Sequence, residues 1–258
     1  MSQARSIKAP GAVLLALEGR APWEFGAAIA AFPLWHRMPH GDGHPVVVFP
    51  GLAAPDMSTL PLRLFLSARG YKAHGWEMRF NFGPRAGVLE RSLEHVRKVR
   101  RSTGRKVSLV GWSLGGVFAR EIAKLAPGDV RCVITMGSPF TGDPRANNVW
   151  RLYEFASGHR LDDHKELASV REAPPVPTTS IFSRTDGIVA WPCCVQGRGA
   201  LAESIEVTAS HIGMGMNPVT WYAVADRLAQ REGCWKPFHR EGWRRHLFND
   251  PYRAGNPG

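Results

Sequence analysis

Residues 106–118 read Lys106-Val107-Ser108-Leu109-Val110-Gly111-Trp112-Ser113-Leu114-Gly115-Gly116-Val117-Phe118. This stretch changes character halfway along. Val107 to Val110 is a short apolar run suited to a strand covered on both faces. Leu114, Val117, Phe118, Ile122 and Leu125 instead recur at helical spacing and make one apolar stripe. A strand must therefore become a helix across Ser113, and glycines two residues to either side of the serine permit so sharp a turn. The turn would present the Ser113 hydroxyl beyond the sheet edge at a helix N-terminus, where unpaired N–H groups and the dipole favour negative charge.

The flanking chain repeats the same alternation. On the N-terminal side, His44-Pro45-Val46-Val47-Val48-Phe49 is a buried-strand run ending at the turn Pro50-Gly51. Residues 56–69 read as a helix closed by Gly70, residues 71–77 as a strand, and residues 87–103 as a basic helix followed by Gly104. On the C-terminal side, 130–136, 178–183 and 204–208 are strand candidates. A last helix starts near Asn217-Pro218, with asparagine as the cap and proline in the first turn. The pattern predicts an α/β fold with a mostly parallel, doubly wound sheet.

Three segments depart from that rhythm. Residues 1–42 form a helical extension. Its second apolar stretch carries Trp23, Phe25, Ile29, Phe32 and Trp35, expected as a bulky face against the main core, with a lid or membrane-surface helix as the other reading. Within the main domain, 43–231, a polar and helix-compatible insertion of about 141–176 is expected to cap the carboxyl edge of the sheet. Residues 232–258 are a basic, aromatic tail without assignment.

Bulk properties narrow the function. The 258 residues are 44% hydrophobic and 21% charged, enough for one sizeable core. No run approaches the ~20 apolar residues that span a bilayer. Residues 12–17 are short for a secretory leader and are interrupted by Glu18 and Arg20, so a cytoplasmic protein is expected. The net charge of +11 collects at 91–106 and 236–253. Leu89, Leu93 and Val96 share the first of these stretches at helical spacing, which reads as a solvated basic face. No groove-reading nucleic-acid element is present, so no nucleic acid is expected, and peripheral contact with anionic membrane is a secondary expectation. Cys132, Cys193, Cys194 and Cys234 make neither a zinc spacing nor a disulfide framework, and free thiols are expected.

Gly111-Trp112-Ser113-Leu114-Gly115 matches G-x-S-x-G, a weak string that gains weight from its place between strand and helix. A serine nucleophile needs a base, and His211 lies between the last strand candidate and the last helix; His159 and His164 are the competitors. The base needs an acid to hold its tautomer. Asp186 follows the strand at 178–183 directly, and Asp143, after the preceding strand, is the alternative. The oxyanion would rest on the backbone N–H of Leu114 and, from the loop after the first core strand, that of Leu52.

With these residues in that order, the chain resembles the α/β-hydrolase superfamily over roughly residues 43–231, and within it the lipase-like branch with Pro-Gly-Leu in the oxyanion loop. Ser113, Asp186 and His211 match that family's triad, and Asp186-Gly187-Ile188-Val189 is similar to its acid-loop wording. The resemblance implies a lipase or carboxylesterase acting on a small-molecule or lipid ester through an acyl-enzyme, with no metal and no organic cofactor. A thioesterase, polyester depolymerase or acyltransferase would use the same triad. The rival class is a non-catalytic or anionic-membrane-binding protein on a hydrolase scaffold. Oligomeric state is not encoded in these motifs.

Overall fold

The computed structural model describes residues 7–141, Ala146, Asn148 and residues 170–253. Among these, six strands share one sheet: β1 Pro45–Phe49, β2 Lys72–His74, β3 Val107–Trp112, β4 Val130–Met136, β5 Thr178–Phe182 and β6 Ala202–Glu206. Their order is β2-β1-β3-β4-β5-β6 and every adjacent pair runs parallel. All five residues of β1 are buried, which is why its three consecutive valines break no amphipathic rule.

Alternate residues of each strand feed two separate cores. Val46 and Val48 face α3 (Leu60–Ala68) and α6 (Pro218–Leu228), where Leu62, Phe65, Trp221 and Leu228 are buried. Val47 and Phe49 face α4 (Val88–Thr103) and α5 (Leu114–Leu125), against Val96, Val99, Phe118 and Ile122. Arg91, Arg97, Lys98 and Arg101 of α4 are exposed, as a solvated basic face requires. The chain leaves β1 toward β2 and then crosses to β3 on the other side. This reversal opens a crevice between β1 and β3 at their carboxyl ends, the place where open α/β sheets bind ligands.

Some boundaries differ from the sequence expectation. The helix at 56–69 starts as a 3₁₀ turn, Asp56–Thr59, and becomes α-helical only at Leu60. Pro61 has no N–H for the carbonyl four residues back, so an α-helical ladder cannot run through it. The strand at 71–77 shrinks to Lys72–His74, and Glu77 takes a left-handed φ of 60° that no strand accommodates. The strand expected at 204–208 lies instead at Ala202–Glu206, in register with β5 from Thr178↔Ala202 to Phe182↔Glu206. Asn217 caps α6 as expected, accepting from the N–H groups of Val219 and Thr220.

The N-terminal extension holds α1 (Ala12–Ala16) and α2 (Ala21–Ala30). It does not use the bulky face the sequence suggested. Ala21 and Ala28 are the buried residues of α2, while Trp23, Ile29 and Phe32 stay exposed. Small side chains let the helix lie close, and only Trp35 enters the aromatic cluster, edge-on to Phe65 at 5.1 Å and to Trp221 at 5.4 Å.

The basic tail covers the β6 edge of the sheet. Phe238 and Phe248 are buried, Arg253 pairs with Glu206 at 2.6 Å, and Asn249 bridges to Glu206. An edge so covered offers no free ladder to another chain. Near the end of the expected cap, buried Arg120 of α5 donates to the carbonyls of Val170, Arg171 and Glu172 and lies over the Phe140 ring at 3.9 Å. Apart from Thr141, Ala146, Asn148 and residues 170–176, the expected cap, with Asp143, His159 and His164, falls outside the described residues.

Candidate active site

Strand β3 runs into α5 through Ser113, whose backbone sits at φ 53° and ψ −124°. Such a conformation costs a residue with a side chain about 1–3 kcal/mol. It persists because the chain is clamped on both sides. The Ser113 N–H donates to the Met136 carbonyl at 2.7 Å, and the Gly116 N–H returns to the Ser113 carbonyl at 3.0 Å. Gly111 and Gly115 serve close approach: a Cβ on Gly111 would stand 2.3 Å from the Gly116 Cα, and one on Gly115 would stand 2.4 Å from the Phe49 carbonyl oxygen. Any side chain at either position would push the turn apart.

The loop after β5 brings Asp186, and the loop after β6 brings His211. Both side chains are almost fully buried. Asp186 Oδ2 accepts from His211 Nδ1 at 2.7 Å, while Asp186 Oδ1 accepts from the N–H groups of Ile188 and Val189, both at 2.8 Å. With Nδ1 donating to the carboxylate, the lone pair of Nε2 faces Ser113 Oγ at 3.0 Å. Burial works against an imidazolium at His211, but the Asp186 carboxylate and, behind it, Glu18 outweigh that and hold its pKa above the ordinary histidine value. Trp112, between Gly111 and Ser113, donates its indole N–H to the His211 carbonyl at 3.0 Å.

The serine opens onto a cleft of about 140 Å³ walled by Leu52, Ala54, Trp112, Ile188 and Ile212. Leu114 is the first residue of α5, so its N–H has no partner inside the helix. Leu52 comes from the loop after β1, which touches the serine: a Cβ on Gly51 would lie 3.3 Å from the Ser113 Cβ. Buried Asn81 braces this loop. Its side chain donates to the Pro50 carbonyl at 2.8 Å, and its own carbonyl accepts from the Ala53 N–H at 2.7 Å. Ala53 there takes a left-handed φ of 55°. The arrangement sets a hydroxyl, an imidazole and a buried carboxylate in one hydrogen-bonded series beside an apolar opening.

Ser113, His211 and Asp186 are thus brought together, with Leu52 and Leu114 beside them. Cys193 and Cys194 lie buried in a 3₁₀ turn, Trp191–Cys194, and are not among the residues lining the cleft. Two residues that bear on the site escaped the sequence reading. Asn81 carried no motif at all. Glu18 registered only as an acid breaking an apolar run, yet its carboxylate accepts from the N–H groups of Gly187, His211 and Ile212.

No protein-family model matches the chain. It is 32% identical over 116 residues to a triacylglycerol lipase of Pseudarthrobacter phenanthrenivorans, covering 41% of this chain and 36% of that one. The chain spans about a third of the length of the curated relatives it matches. Among solved structures it resembles Aspergillus fumigatus lipase B, with a TM-score of 0.58 and 18% identity over 73% of this chain and 52% of that one. It also resembles an alpha/beta superfamily hydrolase from Oenococcus oeni, with a TM-score of 0.52 and 15% identity over 72% and 90% of the two chains.

Proposed function

Given the α/β-hydrolase fold that this chain has, we propose that it is a serine hydrolase cleaving carboxylic esters of apolar acids, of the lipase or carboxylesterase type. The observation that carries this reading is the hydrogen-bonded series from Ser113 Oγ through His211 to Asp186, at 3.0 and 2.7 Å, opening on an apolar cleft. The name triacylglycerol lipase borne by the curated relatives supports an ester or lipid substrate, over the part of the chain that matches.

In the proposed reaction Ser113 Oγ attacks the ester carbonyl carbon as its proton passes to His211 Nε2. The carbonyl oxygen becomes an oxyanion that accepts from the N–H groups of Leu52 and Leu114, and the α5 dipole adds to that stabilisation. Asp186 keeps the Nδ1 proton in place and stabilises the imidazolium. The carbon–oxygen bond to the alcohol breaks, the alcohol leaves with the proton from His211, and an acyl-Ser113 ester remains. Water, deprotonated by the same imidazole, attacks that ester and releases the acid and free Ser113. Leu52, Trp112, Ile188 and Ile212 would hold the acyl chain.

The test is fluorophosphonate labelling together with a p-nitrophenyl ester chain-length series and matched thioesters. Wild type is expected to label and turn over esters, and Ser113→Ala to do neither while keeping its melting temperature. Folded wild-type protein that neither labels nor hydrolyses any member of the series would favour a non-catalytic role. Thioesters turned over faster than their ester counterparts would move the assignment to a thioesterase.

A further inference from the structure

We infer that Glu18 is a positioning residue for the proposed triad: its buried carboxylate ties the loop carrying Asp186 to the loop carrying His211 and sets their separation. This rests on the serine-hydrolase reading above. Glu18 lies in the 3₁₀ turn Leu17–Arg20 and is 6% exposed. Its Oε1 accepts from the Gly187 N–H and the His211 N–H, each at 2.8 Å, and its Oε2 accepts from the Ile212 N–H at 2.9 Å. One side chain therefore holds the residue after the acid, the base itself, and the residue after the base. A buried carboxylate is stable only when its oxygens find such donors.

The neighbours on the same segment grip the same two loops. Arg20 donates to the Thr185 carbonyl at 3.0 Å and to the Thr185 hydroxyl at 2.7 Å, just before the acid. Glu24 accepts from the Ser210 N–H at 2.8 Å, just before the base, and pairs with Arg20 at 2.9 Å. The segment can lie this close because residue 187 is glycine: a Cβ there would stand 2.2 Å from the Leu14 carbonyl oxygen. Arg20 and Glu24 neutralise each other, whereas the hydrogen-bond partners of Glu18 among the described residues are all backbone N–H groups. Its charge is thus directed at the base. His211 is faced by Asp186 from the loop after β5, by the Ser113 hydroxyl from the elbow and by Glu18 from this segment. Both carboxylates push its pKa upward against burial.

Two consequences separate this role from plain structural support. Loss of the carboxylate should misplace the base relative to Ser113, which lowers kcat more than it raises KM. Loss of its charge should also make the imidazolium less favourable, so the acidic limb of kcat/KM moves to lower pH.

The experiment uses full-length Glu18→Gln and Glu18→Asp with p-nitrophenyl butyrate across pH. Thermal melts and the proton resonance of His211 Nδ1 accompany the kinetics. For Glu18→Gln we expect kcat lower by roughly ten- to a hundredfold with little change in KM. The acidic limb and the His211 titration should both move down by about 0.5 pH unit. Glu18→Asp keeps the charge but is one methylene too short to reach all three amides. It should leave the limb in place and give an intermediate kcat. Wild-type kcat with an unmoved limb in folded Glu18→Gln would overturn the inference. So would a loss of activity that follows only the folded fraction while the His211 titration stays put. If Glu18→Gln does not fold, Glu18→Asp decides, and wild-type kcat in that variant counts against the role. Failure of the serine-hydrolase reading is seen separately, as turnover surviving in Ser113→Ala, and the His211 resonance reports on Glu18 without any turnover.

Discussion

Two Ser–His–Asp series of hydrogen bonds lie at opposite ends of the same sheet. At the carboxyl end, Ser113 and His211 are 3.0 Å apart and His211 and Asp186 are 2.7 Å apart. At the amino end, Ser108 and His44 are 2.8 Å apart and His44 and Asp42 are 2.5 Å apart. The serines belong to one strand, five residues and so about 16 Å from each other. By distance alone the second series is the tighter one. Everything around it differs. Ser108 is wholly buried within β3, paired with Val46 of β1, and receives the Cys132 thiol at 3.3 Å. No helix begins there, and neither Ser108 nor His44 lines the apolar cleft at Ser113. The Asp42 carboxylate is shared with Arg131 at 2.8 Å and Arg105 at 2.7 Å. Burial, helped by those arginines and opposed by Asp42, pushes the His44 pKa down to about 4. His211 is shifted the other way. Three side chains joined by two hydrogen bonds are therefore structural glue unless the serine meets solvent, backbone donors stand beside it, and the charge near the base favours its protonated form.

The largest effect expected from this contrast is at the serines. Ser113→Ala should lower ester turnover by at least about 10³-fold. Ser108→Ala should leave kcat intact and lower unfolding free energy by about 1–3 kcal/mol, because His44 loses a buried partner. Equal kinetic losses in both variants would erase the distinction. Next come the acids. Asp186→Asn, which permits the wrong imidazole tautomer, should cost kcat on the order of 10³-fold, whereas Asp42→Asn should be visible only in a thermal melt. Normal turnover in Asp186→Asn would return attention to Asp143.

A smaller loss, about tenfold to a hundredfold in kcat with KM little altered, is expected for Asn81→Ala. That change releases the loop carrying Leu52, the proposed oxyanion donor at the carboxyl-end series. If labelling rate and kcat were both normal in this variant, Leu52 would not be a donor.

The smallest effect is in the pH dependence of stability, where the two histidines have opposite signs. The folded pKa of His44 lies below its unfolded value near 6.5, so between about pH 6.5 and 4 the unfolded chain binds the proton first. Stability is lost as pH falls through that window, by at most about 3 kcal/mol. His211, with a raised folded pKa, contributes stability that is present below the unfolded value and lost as pH rises through the folded one. Urea unfolding of His44→Gln across this range should show a flatter slope than wild type, and an unchanged slope would show that His44 does not titrate on unfolding.

The sequence was most readable where neighbours in the chain are neighbours in function. The run Val46-Val47-Val48-Phe49, the stripe on α5 and the glycines around Ser113 are local patterns, and the sheet and the elbow follow from them. Asp186 and His211 were readable because each directly follows a strand of that sheet. Glu18 was not, since its partners lie 169 to 194 residues away and backbone amides leave no trace in a sequence. Asn81 was hidden because it braces a backbone carbonyl 31 residues away, and the Asp42–His44–Ser108 series because Ser108 joins it from 64 residues along the chain. The face of α2 was misread because bulky residues look like core, whereas close helix approach selects the alanines at 21 and 28.

The backbone at Ser113 has an implication for how the molecule could be engineered. Its torsion angles suit glycine, and a side chain of any kind is held there against its preference. Ser113→Gly should accordingly be more heat-resistant than Ser113→Ala, by about 1 kcal/mol, although both lack the hydroxyl. The fold would then be sturdier without the one residue on which its proposed chemistry depends, and a search for thermostable variants that ignored turnover would drift toward inactive protein.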